Sequence, residues 1–82
     1  MKQDWQKVGE RALEKTWKFA NFKEALRFVN AVGEIAEELQ HHPDIAIKNY
    51  NQVTISTSTH DAGNTITEKD YALAKRIDDL TF

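Results

Sequence analysis

The sequence lacks cysteine altogether and contains only one proline and three glycines in 82 residues. Without cysteine, disulfide bonds and thiolate-bound metals are excluded. No segment approaches the roughly 20 consecutive apolar residues of a membrane-spanning helix, and the N-terminus MKQDWQKV lacks the apolar core of a signal peptide. We therefore predict a cytoplasmic protein that does not bind membranes.

Positive charge is not in excess either. The chain has 11 basic and 13 acidic residues and a formal net charge of -2, whereas proteins that bind nucleic acids use basic surfaces to neutralise phosphates. Direct binding of nucleic acid is therefore not expected. The composition, 40% hydrophobic and 29% charged, predicts a single globular domain over residues 1–82. The core of so small a domain leaves a thin stability margin, which favours help from a partner subunit.

The N-terminal segment predicts a β-hairpin that turns at Gly9. Bulky residues alternate at Leu13, Trp17 and Phe19, which indicates a strand over residues 12–19, preceded by a shorter strand over residues 5–8. A helix over residues 9–18 is the alternative, because Ala, Leu, Glu and Lys favour helices.

A long amphipathic helix is predicted over residues 22–40. Asn21 can cap it, with Glu24 at the third position, and Pro43 is expected to end it by pushing His42 out of the helical conformation. Its apolar residues recur at helical spacing. They are Phe22, Ala25, Leu26, Val29, Val32, Gly33, Ala36 and Leu39.

The C-terminal half predicts two strands and a second helix. The strands join at a turn over residues 49–51, and Val53, Ile55 and Thr57 share one face of the second strand. A further turn at residues 63–64 precedes a helix capped by Thr67 and Asp70. The residues of this helix that are predicted to face inward are Tyr71, Leu73, Ala74, Ile77 and Leu80. The fold class is therefore α+β, a four-stranded antiparallel sheet with two main helices packed on one face, in the order ββαββα.

All three histidines, His41, His42 and His60, lie beside turns that end regular elements. An imidazole has an ordinary pKa near 6.5, so it can both donate and accept protons near neutral pH. Adjacent side chains of a continuous helix diverge by about 100°. If Pro43 forces His42 into an extended conformation, both neighbouring rings can flank one ligand.

Other roles are open for these residues. Glu37 lies one helical turn before His41 and can orient its ring, or it can belong to the solvated face. His41 and His42 can serve as a cationic helix cap, and His60 can be an ordinary surface residue. Glu37, His41 and His60 could also form the facial triad of a non-haem iron site, but this would leave His42 without a role, so no metal is predicted.

Several segments together carry a resemblance to a known family. The segments WKFANFKEALRFV, EELQHHPDI, YNQVTISTSTHDAG and TEKD resemble pterin-4a-carbinolamine dehydratase, and the resemblance extends from about Trp5 to the C-terminus. It implies an enzyme that eliminates water from 4a-hydroxytetrahydropterin to give quinonoid dihydropterin in tetrahydropterin recycling. It also implies no cofactor, no metal, and assembly as a homodimer or homotetramer.

The resemblance assigns site residues by position. Catalytic roles fall on His41 as principal acid or base, His60 as second proton-transfer group, His42 as a support for the ring, and Glu37 as a hydrogen-bonding partner of the ring or of a histidine. The substrate-binding residues are Pro43, Ser58, Thr59, Asp61 and Asp70, and Asp70 is expected to orient His60.

The sequence also departs from the family pattern. Ile45 replaces an aromatic residue of many relatives, and the turns before Tyr50 and after Gly63 are each one residue longer, in positions expected to lie beside the pocket. A non-catalytic dimerisation or assembly module of the same fold is the alternative function, because some relatives have such roles. The retained histidines favour catalysis.

Overall fold

The computed structural model describes residues 5–80, which form one four-stranded antiparallel sheet and two helices. The elements in chain order are β1 (Gln6–Val8), β2 (Ala12–Lys18), α1 (Phe22–Leu39), β3 (Asp44–Lys48), β4 (Gln52–Thr57), a 3-10 turn (His60–Ala62) and α2 (Glu68–Asp78). The strand order across the sheet is β1-β2-β4-β3. The predicted α+β class and the order ββαββα are confirmed, and the alternative of a helix over residues 9–18 is wrong.

One face of the sheet carries the hydrophobic core. In β4 the side chains of Val53, Ile55 and Thr57 are buried, and the residues between them are half-buried. This alternation places successive side chains on opposite faces of the sheet, as the sequence predicts. Residues of both helices complete the apolar cluster on the same face, namely Ala25, Phe28, Val32, Ile35, Leu73 and Ile77. The opposite face of the central strands is polar.

The buried stripe of α1 differs in part from the predicted one. Phe28 and Ile35 are buried, whereas Phe22 and Leu26 are 49% and 39% exposed. Apolar residues occupy more than half of the circumference of this helix, so periodicity alone does not tell which of two overlapping stripes faces the sheet. The N-terminus is as predicted, since the side chain of Asn21 accepts a hydrogen bond from the Glu24 N–H at 2.9 Å.

The C-terminus of α1 lies four residues before Pro43. The helix ends at Leu39, and Gln40 adopts the left-handed conformation with φ of 52°. The His41 N–H then donates to the Ala36 carbonyl and the Gln40 N–H to the Glu37 carbonyl, which is the hydrogen-bond pattern of a Schellman motif. The helix thus ends one residue before the predicted boundary, and the left-handed Gln40, three residues before Pro43, sets the direction in which the two histidines leave it.

Helix α2 begins with the predicted capping box of Thr67 and Asp70. Its buried face contains Asp70, Leu73, Ala74 and Ile77. Tyr71, predicted to face inward, is 50% exposed, because Asp70 occupies the buried position in the first turn. No helix within residues 5–80 is long and apolar enough to cross a bilayer.

An ion pair fixes the far end of α2 to the sheet. Lys15, which is buried in β2, places its Nζ 3.0 Å from Asp78 Oδ1 and 5.1 Å from the centre of the Trp17 ring. The indole N–H of Trp5 donates to the same carboxylate at 3.1 Å. The ammonium group of Lys15, the polar residue on the buried face of β2, therefore has a partner. The same ion pair attaches the C-terminal end of α2 to the sheet.

The turn between β3 and β4 lies away from the histidines. It follows Lys48, which pairs with Gln52, whereas the histidines lie near the other end of β4, about 20 Å along a six-residue strand. The expectation that this longer turn adjoins the pocket is wrong. The turn after Gly63 does adjoin it, because Thr65 bridges Thr59.

Candidate active site

Four chain segments meet at one edge of the fold and surround a cavity of about 230 Å³. They are the residues that follow α1, the residues that follow β4, the 3-10 turn and the first turn of α2. We call this the histidine cavity, and it is lined by Gln40, His41, His42, Ser58, Thr59, His60, Asp61 and Lys69. The structure thus brings all three histidines of the sequence to a single concave site.

Asp70 lies buried beneath this cavity. Its side chain is fully buried and accepts four hydrogen bonds, two on each oxygen. Oδ1 accepts from His41 Nε2 at 2.6 Å and from the Thr57 hydroxyl at 2.7 Å. Oδ2 accepts from the Thr59 hydroxyl at 2.8 Å and from the Thr67 N–H at 2.9 Å. A carboxylate with every lone pair occupied can remain charged in a buried position.

These contacts determine the ionisation of Asp70. Burial raises the pKa of its carboxyl, but the hydrogen bonds from His41, Thr57, the Thr67 N–H and Thr59 outweigh this effect. The pKa therefore lies below its ordinary value of 3.8. Asp70 is thus an anion at neutral pH and can only accept hydrogen bonds.

The charge of Asp70 fixes the tautomer of His41. Because a carboxylate cannot donate, Nε2 of His41 must carry the proton of the 2.6 Å contact. In the neutral ring Nδ1 is then the unprotonated nitrogen. Asp70 was expected to orient His60, and this expectation is wrong because its carboxylate contacts His41 instead.

The second carboxylate–imidazole pair is exposed. Glu37 Oε2 lies 2.5 Å from His42 Nε2, and the two side chains are 71% and 57% exposed. Helical spacing offered two roles for Glu37, as a partner of His41 or as part of the solvated face. Glu37 is solvated, and because the left-handed Gln40 turns the chain, its histidine partner is His42. Exposed pairs of this kind contribute little to stability, so this contact mainly orients the ring.

His60 lines the same cavity from the 3-10 turn. It is exposed, and within residues 5–80 its side chain makes no hydrogen bond or ion pair. A solvated imidazole with no fixed partner can exchange protons with water. Ser58, Thr59 and Asp61 also line the cavity, as predicted.

Two predicted site residues line a separate, neighbouring groove instead of the histidine cavity. Pro43 and Glu37 line a neighbouring open groove of about 940 Å³, together with Glu34, Glu38, His42 and Ile45 among others. We call this the α1 groove. Conversely, Gln40 and Lys69 line the histidine cavity although neither was predicted as a site residue. Lys69 directly precedes Asp70, so its place in the first turn of α2 was the available signal.

The alternative of a metal triad is not assembled. Within residues 5–80 no group of three or more His, Cys, Asp or Glu side chains is placed to hold a metal ion. Glu37 pairs with His42 and His41 with Asp70, so the carboxylate of Glu37 and the ring of His41 do not converge.

The fold and the site define a class of small α+β protein in which histidines, one of them held by a buried aspartate, line a cavity suited to acid–base chemistry. Comparison with known proteins specifies the class further. The chain matches the family described as Pterin 4 alpha carbinolamine dehydratase over residues 1–80. It belongs to that family.

Individual relatives agree with this assignment. A protein of Thermomicrobium roseum with the provisional name pterin-4-alpha-carbinolamine dehydratase is 51% identical over 76 residues, which are 93% of this chain and 78% of the relative. A protein of Sulfurisphaera tokodaii with the same provisional name is 52% identical over 68 residues, 83% of this chain and 71% of the relative.

Solved structures share the fold. The crystal structure of a transcriptional coactivator/pterin dehydratase from Brucella melitensis is similar with a TM-score of 0.81 and 36% identity, over 90% of this chain and 78% of that chain. A pterin dehydratase-like protein identified as a RuBisCO assembly factor in the alpha-carboxysome is similar with a TM-score of 0.75 and 26% identity, over 93% and 87% of the two chains.

Proposed function

We propose that this protein is a 4a-hydroxytetrahydropterin dehydratase that works by histidine acid–base catalysis in tetrahydropterin recycling. The observation that carries the proposal is the 2.6 Å contact between His41 Nε2 and Asp70, which leaves Nδ1 of His41 as the proton acceptor. The family supports the type of reaction. The assignment of steps to residues is our own.

The reaction requires two proton transfers. The bond between C4a and its hydroxyl group breaks, and the oxygen leaves as water after it gains a proton. N5 loses its proton, and the electron pair of that N–H bond forms the new C4a=N5 double bond. We assign the base at N5 to His41 Nδ1 and the acid at the leaving hydroxyl to His60, because its solvated ring can be protonated from water.

The remaining residues hold the substrate or orient the catalytic histidine His41. His42, fixed by Glu37, would support one side of the pterin ring, and the Ser58–Asp61 segment would contact its edge. Asp70 acts through His41 and is a positioning residue, since it lies beneath the imidazole and does not line the cavity.

Stopped-flow dehydration of a synthetic carbinolamine tests this function. His41→Ala and His60→Ala should each lower kcat about 10²-fold or more, the usual contribution of a positioned acid or base. Lys75→Ala, at the far end of α2, is the control. Full activity of His41→Ala would disprove the assigned base, and a wild-type rate equal to the spontaneous rate would disprove the function.

Exposed apolar side chains support a second proposal, self-association. Phe22 and Leu26 lie one turn apart on α1 and are 49% and 39% exposed. Large apolar side chains that share an exposed surface are typical of protein–protein contacts. We propose a homodimer or homotetramer formed through this face, which would also serve the alternative role of an assembly module. A cytoplasmic location stays a prediction.

A further inference from the structure

A threonine occupies a core position of β4, where the preceding residues on the same face are aliphatic. Val53, Ile55 and Thr57 alternate along the strand, and each is at most 1% exposed. A hydroxyl group buried in this way costs free energy unless it has a hydrogen-bond partner. Its partner is Asp70, whose Oδ1 accepts from the Thr57 hydroxyl at 2.7 Å. The hydroxyl of Thr57 therefore belongs to the polar network beneath the histidine cavity.

Thr57 donates to the same oxygen as His41. His41 Nε2 lies 2.6 Å from Asp70 Oδ1, so this one oxygen accepts two short hydrogen bonds. Each donor to a carboxylate stabilises the anion and draws on its negative charge. The hydroxyl of Thr57 therefore weakens the attraction of this oxygen for a protonated imidazole ring.

The donors at the other oxygen, Oδ2, have further roles. The N–H of Thr67 belongs to the capping box of α2, and Thr59 lines the histidine cavity. Because Thr59 uses its one hydroxyl proton on Oδ2, Thr67 must supply the proton of the 2.6 Å contact between the two hydroxyls. Thr57, in contrast, lies in a strand and is not among the residues that line the cavity. Its hydroxyl reaches the imidazole through Asp70.

The ionisation of Asp70 agrees with this view. Burial raises the pKa of its carboxyl, and hydrogen bonds lower the pKa below its ordinary value, with the bond from Thr57 second after that from His41. The Thr57 hydroxyl thus helps to keep Asp70 an anion and a hydrogen-bond acceptor.

Other ionisable side chains surround the pair of Asp70 and His41 on α1, on the 3-10 turn and on α2. Their positions are exposed, so water screens their charges. They are Glu37, His42, His60, Asp61, Glu68 and Lys69. A substitution of Thr57 leaves these groups in place, so its effect on the titration of His41 is attributable to Asp70.

We propose that Thr57 is a positioning residue for the base of the site: its hydroxyl limits how strongly Asp70 holds the protonated ring of His41, which keeps Nδ1 unprotonated over a wider range of pH. This inference rests on the proposed dehydratase function. Thr57 does not touch the substrate and acts through Asp70 and then His41.

Two substitutions separate the hydroxyl of Thr57 from the packing of its side chain. Thr57→Val keeps the shape and removes the hydroxyl, whereas Thr57→Ser keeps the hydroxyl and removes a methyl group. Thr54→Val is the matched control, because it removes a hydroxyl from the opposite face of the same strand, where it lies 2.9 Å from the Thr16 hydroxyl. NMR of the imidazole ring follows the titration of His41 without substrate, and stopped-flow dehydration measures kcat and KM as functions of pH.

In Thr57→Val the midpoint of the His41 titration should move to higher pH by about half a unit or more, a part of what one hydrogen bond to a charged group contributes. The acid limb of the kcat profile should move with it. At pH values below both midpoints, kcat should fall about threefold for each half unit, whereas KM and the alkaline plateau of kcat should change less. Thr57→Ser should keep the wild-type midpoint and acid limb although it loses stability, and Thr54→Val should match wild type in both.

An unchanged His41 titration in Thr57→Val would overturn the inference, as would an equal shift in Thr57→Ser or in the control. If Thr57→Val does not fold, wild type provides the test. The NMR signal of its Thr57 hydroxyl proton should shift as His41 titrates, and a signal that does not respond would overturn the inference. A shifted His41 titration in Thr57→Val, together with wild-type dehydration no faster than the spontaneous rate, would sustain the inference and overturn only the proposed reaction.

Discussion

His41 Nε2 and Asp70 Oδ1 lie 2.6 Å apart although 29 positions separate the two residues in the sequence. Both residues lie at the end of a helix. His41 completes the Schellman motif at the C-terminus of α1, and Asp70 completes the capping box at the N-terminus of α2. The two residues that complete the backbone hydrogen bonding at these helix ends therefore also form the buried carboxylate–imidazole pair of the site. Asp70 serves three purposes with one carboxylate, as a cap, as a core residue and as the partner of the imidazole.

Asp70→Asn should lower kcat about 10²-fold with little change in KM. An asparagine amide can donate to His41 Nε2, which would favour the tautomer with the proton on Nδ1 and remove the base from the cavity. Stopped-flow kinetics on wild type, Asp70→Asn and the exposed control Asp44→Asn measures this. A change confined to KM would contradict a positioning role for Asp70.

Acid should remove the stability that Asp70 contributes. The folded-state pKa of its carboxyl lies below the ordinary value of 3.8, so the unfolded state binds the proton more readily. The contribution is therefore fully present above about pH 3.8 and is lost as pH falls through the lower folded pKa.

Urea unfolding at several pH values measures this loss. The free energy of unfolding of wild type should exceed that of Asp70→Asn by about 2 kcal/mol at pH 6, the typical cost of disrupting a buried hydrogen-bonded charge. This difference should shrink below pH 3.8. A difference that stays constant down to pH 3 would show that ionisation of Asp70 does not stabilise the fold.

The elements of this fold could be predicted because local signals agree with the tertiary structure. Alternation of Val53, Ile55 and Thr57 marks a half-buried strand, and Asn21 and Thr67 mark the starts of the helices. Which stripe of α1 faces the sheet could not be predicted, because Leu26 and Phe28 are equally apolar. The packing of the sheet and of α2 decides between them.

The residues of the site could be predicted better than their pairing. The three histidines line one cavity. Asp70 contacts His41 where His60 was expected, and Glu37 contacts His42 where helical spacing suggested His41. Spacing along an ideal helix connects Glu37 with His41, and it fails here because Gln40 adopts a left-handed conformation. A positive φ at a residue other than glycine, asparagine or aspartate carries almost no sequence signal.

Leu26→Glu should weaken self-association of the chain. The substitution places a charge on the exposed apolar face of α1, where burial against a second copy would require its desolvation. Light scattering coupled to size exclusion should show a smaller average mass than wild type at the same concentration. Tyr71→Gln removes a large side chain that is 50% exposed on α2 and is the control, since it should leave the mass unchanged. A monomeric wild type would contradict the proposal outright.

The left-handed residue that ends α1 gives a test of how the site is positioned. Gln40 has φ of 52° and its side-chain amide donates to the Glu37 carbonyl at 2.6 Å. Glycine adopts this conformation without a steric penalty, whereas other L-residues, glutamine included, do so at a cost of about 1–2 kcal/mol and β-branched residues at a higher one. Gln40→Gly should therefore retain wild-type stability within about 1 kcal/mol and retain dehydratase activity, because the loss of one hydrogen bond offsets the relief of strain.

Gln40→Val should lose about 1–2 kcal/mol of stability, because it loses the side-chain hydrogen bond to the Glu37 carbonyl and adds the strain of a β-branched side chain at positive φ. It should also lose activity beyond what that destabilisation explains. If the chain leaves α1 in another direction, His41 no longer meets Asp70 and His42 no longer meets Glu37. Urea unfolding and kcat, measured on the same preparations at a temperature where both variants are fully folded, separate the two effects. Equal kcat for the valine and glycine variants would show that the conformation of Gln40 does not position the histidines.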